Sequence, residues 1–180
     1  MRRLLFAVGF GLLTVGCTAD TSQSTATEAW YLRATFEARD ENIEGLHVRT
    51  IDPNWERASV LRTIDVPREA KETGDRPEDH GFSFALDADL DGDGTPERAV
   101  VGVFRARSGK PGRFLLVLGR SQNAGAMTKK ALFTDTHGVG FSAIGMRDGR
   151  VRWVTCFDCD SWCDLIFQRS RYRLECSTCC

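Results

Sequence analysis

The chain has 180 residues, 42% of them hydrophobic and 27% charged, enough for one domain with a real core and too apolar for wholesale disorder. The formal net charge is −1. No basic block accompanies it, which excludes the electrostatic footprint of a nucleic-acid binder.

The first sixteen residues read as a targeting segment. Arg2 and Arg3 form a basic start, Leu4 to Val15 an apolar stretch, and small residues precede Cys17. The apolar run is too short to span a bilayer stably. Its ending, Leu13-Thr14-Val15-Gly16-Cys17, resembles a bacterial lipobox, with Thr14 where leucine is usual. That resemblance implies acylation of Cys17, a lipid anchor in the cell envelope, and, with Thr18 next, sorting to the outer membrane. An ordinary signal peptide cut near Cys17 is the alternative, and it also implies export. Loss of Arg2 and Arg3 leaves 22 basic against 25 acidic residues, a mature charge of about −3.

Residues 17–27 are small and polar and read as a flexible tether, so the folded domain is expected over 28–180. Glu28 to Ala38 carries Trp30, Tyr31, Leu32 and Phe36 without a clear period. Ile43 to Ile51 alternates like a strand. Asp52-Pro53 is a helix-start signal, predicting a short helix over Pro53 to Leu61 with Trp55 toward the core. Arg68 to His80, charged and broken by Gly74 and Pro77, reads as an exposed loop.

The second half is strand-rich. Phe82 to Leu86, Ala99 to Arg107, Phe114 to Leu118, Lys130 to Thr134, Gly140 to Met146 and Val151 to Thr155 are expected strands. Asp148-Gly149 is a hairpin turn, and Leu165 to Phe167 and Tyr172 to Leu174 pair around Arg169-Ser170. Short links between strands predict a mainly β, antiparallel meander with one or two short N-terminal helices, in a single domain; α+β is the alternative.

Between two of those strands lies Asp87-Ala-Asp89-Leu-Asp91-Gly92-Asp93-Gly94-Thr95-Pro96-Glu97. Carboxylates at this density repel, and a hard cation with six to eight oxygen ligands is the natural way to hold them together. With Asp89 at position 1, Asp91 falls at 3, Asp93 at 5, Gly94 at the sharp turn, Thr95 at the carbonyl position and Glu97 at 9. Position 12 is Val100, so the bidentate glutamate of an EF-hand is missing. An acidic surface turn is the alternative.

The stretch Asp89 to Val101 resembles the calcium motif of the FG-GAP and integrin-α-like repeats, in which the loop joins adjacent strands and the metal is structural. Carried over by position, the resemblance implies Ca²⁺ ligands at Asp89, Asp91, Asp93, Thr95 (main chain) and Glu97; the repeats usually have aspartate where Glu97 stands. A single copy here carries over the loop and not the propeller built from many such repeats.

Six cysteines fall in the last twenty-five residues: Cys156, Cys159, Cys163, Cys176, Cys179 and Cys180. In an exported chain they read as disulfides. The spacing of Cys156, Cys159, Cys176 and Cys179 also fits a zinc ribbon, and zinc-binding or thiol-redox function is the alternative reading of the chain. A turn at Arg169-Ser170 opposes Cys163 to Cys176 at a non-hydrogen-bonded position, about 4.5 Å between Cα atoms, inside disulfide range. Pairing of the other four stays open. Trp153, Phe157 and Trp162 nearby either fill a small core or form a binding patch.

His47, His80 and His137 are scattered, and no nucleophile elbow, phosphate loop or His-Glu-x-x-His occurs. A hydrolase using His80 or His137 beside the acidic loop has only proximity in sequence behind it. The expectation is a calcium-stabilised, envelope-anchored lipoprotein that is not an enzyme. Its partners would be the membrane, through the lipid anchor, and an unidentified protein or glycan.

Overall fold

The computed structural model describes residues 29–120 and 126–177. The targeting segment with Cys17, the tether, and Cys179 and Cys180 lie outside the described residues.

The fold is mainly β and wholly antiparallel, built on two larger sheets. The central strands are β5 (Glu97–Ala106), β6 (Pro111–Arg120) and β7 (Met127–Asp135), joined in that order. The other edge of β5 is shared. Strand β3 (Trp55–Val60) pairs with it from Ala106 to Gly102, and β4 (Ala85–Ala88) pairs with it from Val100 to Glu97. Val101 sits at the junction: its carbonyl accepts from the Leu61 N–H and its own N–H donates to the Phe84 carbonyl, each at 3.0 Å. The second sheet is a meander of β8 (Ala143–Arg147), β9 (Arg150–Val154), β10 (Trp162–Gln168) and β11 (Arg171–Cys176). Its turns are Asp148-Gly149 and Arg169-Ser170, both with positive φ at both residues, as tight hairpins of right-twisted strands require.

Both faces of the five-stranded sheet are covered, which explains the unbroken apolar run of β6. Leu115 and Val117 join Ala99 and Val101 in a core shared with Ile144, Val151, Trp153 and Leu165 of the second sheet. Phe114, Leu116 and Leu118 on the opposite face pack with Trp55, Phe104, Val48 and Ile51. Among the described residues no helix is long and apolar enough to cross a membrane.

Several local expectations are overturned. Residues 43–51 form a small hairpin, β1 (Asn42–Ile43) and β2 (Leu46–His47), followed by the helical turn α2 (Val48–Ile51). Glu44 and Gly45 take positive φ, so the chain reverses where a strand was expected.

The helix expected from Pro53 is strand β3. Asp52 and Pro53 begin a tight turn instead: Asp52 Oδ1 accepts from the Asn54 N–H at 2.8 Å, and the Asp52 carbonyl accepts from the Trp55 N–H at 3.0 Å. Asp-Pro suits the first two positions of a type I turn as well as a helix start. A bulge at Glu56 between Trp55 and Arg57 then places Trp55 and Ala58 on one face, a spacing of three that imitates a helix.

Residues 68–80 are not a loop. Helix α3 (Arg68–Thr73) ends on left-handed Gly74, and a 3₁₀ turn covers Pro77–His80. Ala70 and Pro77 are buried. The remaining helix is α1 (Trp30–Arg33), whose Trp30 and Tyr31 enter the core.

The strand expected from Phe82 begins at Ala85. Ser83 instead exchanges two backbone hydrogen bonds with Ile144, so the chain touches the second sheet before it joins the first.

Candidate metal centre

Strand β4 ends at Ala88, which pairs with Glu97 at the start of β5, so residues 89–96 form the closed end of a hairpin. Gly92 (φ 80°) and Gly94 (φ 85°) make the two left-handed bends. The aspartates of the loop are held by backbone N–H groups. Asp89 accepts from Gly92 at 2.8 Å and Gly94 at 3.0 Å; Asp91 accepts from Asp93 at 3.1 Å; Asp93 accepts from Thr95 at 2.7 Å. These Asx turns wind the loop and aim its side chains.

The carboxylates of Asp89, Asp91 and Glu97 converge, with one ligand oxygen from each within 4.8 Å of the others. Two oxygens on one Ca²⁺ at 2.3–2.6 Å lie at most about 5 Å apart, so the trio fits the span of a single ion. Glu97 is 2% exposed and accepts from the Leu90 N–H at 2.8 Å. Asp93 stays outside the trio, and Thr95 enters the loop's bonding through its main chain. Asp87 is drawn away: it pairs with Arg98 at 2.9 Å, and Arg98 also reaches Glu44.

Among the described residues, no Lys, Arg or His forms an ion pair with Asp89, Asp91, Asp93 or Glu97. Each pair of charges at this spacing repels by ~3 kcal/mol at an effective dielectric of about 20.

Sequence reasoning missed Tyr172. It comes from β11, on the facing sheet, and its buried hydroxyl lies by the Glu97 carboxylate without a hydrogen bond of acceptable geometry. Burial pushes its ionisation far above the ordinary phenol range, and the charges of Glu97, Asp91 and Asp93 push it further. The available signal was strand alternation, which puts Tyr172 on the same face as Leu174 and hence inward.

Two of the cysteine pairs are disulfides. Cys163 faces Cys176 across β10 and β11, with Cα atoms 3.9 Å apart, in the register set by the Arg169-Ser170 turn. Cys156 bonds to Cys159, with Cα atoms 5.4 Å apart. So bonded, Cys156, Cys159 and Cys176 are not free thiolates for a zinc ion. Trp153 is buried, and Phe157 and Trp162 pack against the main core, so these rings fill the space beside the crosslinks.

The histidines serve local structure. His47 accepts from the Arg49 N–H at the start of α2. His80 meets Asp75 at 2.6 Å and stacks on Phe157. His137 meets Asp135 at 2.6 Å.

No protein family, curated protein or solved structure matches the chain.

Proposed function

We propose that the chain is an envelope-anchored, calcium-stabilised β-rich lipoprotein domain with a non-enzymatic binding or structural role. The observation that carries the calcium reading is the convergence of Asp89, Asp91 and buried Glu97 with no cationic side chain among them. Buried carboxylates are ordinarily paired or metal-bound. The main-chain hydrogen bonds wind the loop but leave its charge uncompensated. Asp89, Asp91 and Glu97 would hold the ion, with Asp93 and Thr95 completing the ligand set implied by the repeat motif.

When bound, the ion supplies positive charge that offsets this repulsion. The loop then fixes β4 against β5, and the hairpin fixes the edge of the central sheet. A metal bound to the folded state alone adds stability by mass action. The anchoring part of the reading rests on Arg2, Arg3, the apolar segment and Cys17.

The test is thermal unfolding of the full chain with calcium and with excess chelator. Chelation lowers the melting temperature, and Asp89→Ala combined with Asp91→Ala abolishes the difference. An identical melt of the wild type in both conditions overturns the calcium reading.

A further inference from the structure

Beside the acidic loop, the sandwich has a cleft of about 430 Å³, lined by residues of β7, the β10–β11 hairpin and Asp91. Its size suits a small ligand. Phe167 is 38% exposed there, although Tyr172, its partner across the hairpin, packs against the core. Their ring centroids are 4.9 Å apart. Phe133 of β7 lines the same space.

Two cations border these rings. Val117 pairs with Ala131 and Leu118 with Lys129, which leaves Lys130 as the extra residue of a bulge. Bulges re-aim side chains. The stem of Lys130 crosses Gly119 so closely that a Cβ there would lie 2.4 Å from Lys130 Cε, so the glycine keeps its path clear. Arg171 follows the Arg169-Ser170 turn. Neither Lys130 nor Arg171 forms an ion pair among the described residues.

Asp91 belongs to both features. It lines the cleft and is one of the converging carboxylates. Without metal its charge opposes an anion in the cleft. Ca²⁺ on the trio cuts its charge from −3 to −1, so the repulsion that Asp91 exerts on an anion held by Lys130 and Arg171 falls.

We propose that this cleft binds an acidic sugar, a hexuronate unit of a larger glycan, in a calcium-dependent manner. The proposal rests on the calcium reading above. The sugar carboxylate meets Lys130 and Arg171 in charge-assisted hydrogen bonds. The polarised C–H face of the pyranose lies on the exposed electron-rich face of Phe167, with the tilted Tyr172 ring beside it. An alkyl chain with a terminal carboxylate fits less well, because Lys130, Ser170, Arg171 and Asp91 surround the rings with polar groups.

Titration calorimetry of the full chain with a galacturonate disaccharide tests this, in calcium and in chelator, against the same disaccharide with its carboxylates reduced to alcohols. Saturable binding is expected for the acidic sugar in calcium, with loss in chelator and at least roughly tenfold weakening by Phe167→Ala or Lys130→Gln. Both variants keep the calcium-dependent rise in melting temperature, because neither residue belongs to the loop. The proposal is overturned by absent binding where calcium still raises the melt, by equal binding of the reduced sugar, by binding that survives chelation, or by preference for decanoate. A melt that ignores calcium overturns the calcium reading, and this proposal with it.

Discussion

The Tyr172 hydroxyl is buried beside the Glu97 carboxylate, bringing the last strand of the second sheet against the first residue after the acidic loop. The charge state of that loop is therefore felt by both sheets.

Glu97→Gln separates the cost of the buried charge from its use. In chelator the variant melts above the wild type, because a neutral amide replaces a carboxylate that lacks a cation. In saturating calcium the order reverses, since one anionic ligand is gone. Paired melting curves check the crossing, and a variant that melts lower in both conditions contradicts the account.

Asp135 confers acid sensitivity elsewhere in the molecule. Burial alone would raise its carboxyl, but hydrogen bonds from the His137 backbone and ring and from Arg113 outweigh it and hold the carboxyl below its ordinary value. A carboxyl depressed in the folded state contributes stability above its unfolded pKa, near 4, and loses it as pH falls through the folded value. Asp135→Asn should cost about 2 kcal/mol at neutral pH and much less at pH 2, measured by urea unfolding at each pH. A cost independent of pH rules out the charge as its source.

The crosslinks give a third expectation. Alkylation without reductant leaves Cys156, Cys159, Cys163 and Cys176 unmodified in the intact mass. Cys163→Ala with Cys176→Ala lowers stability by ~2–4 kcal/mol. Modification of those four residues without reductant would show that the pairs do not form.

How much was legible depended on whether the determining partners were near in sequence. Hairpin turns carry their own chemistry, so Asp148-Gly149 and Arg169-Ser170 fixed the second sheet and, through its register, the Cys163–Cys176 bridge. The spacing of Asp89, Asp91 and Glu97 placed three acids together because they belong to one short loop. Strand β3 was hidden because its bulge reproduces a helical spacing and its pairing partner, β5, lies far along the chain. Helix α3 was legible and overlooked: Arg68-Glu-Ala-Lys-Glu-Thr73 is a run dominated by helix formers, and Gly74 is a standard stop. The meeting of Tyr172 with Glu97, and the cleft beside it, depend on how two sheets stack, which no local pattern encodes.

Strands β3 and β4 run in the same direction along one edge of β5 and meet at Val101. To the sheet they act as one strand, and residues 61–84 are an excursion that leaves and returns at the same place. The edge constrains where this excursion begins and ends but not its length. What limits exchange of this segment is therefore not its ends but its contents, because Val66, Ala70 and Phe84 enter the core shared by the two sheets.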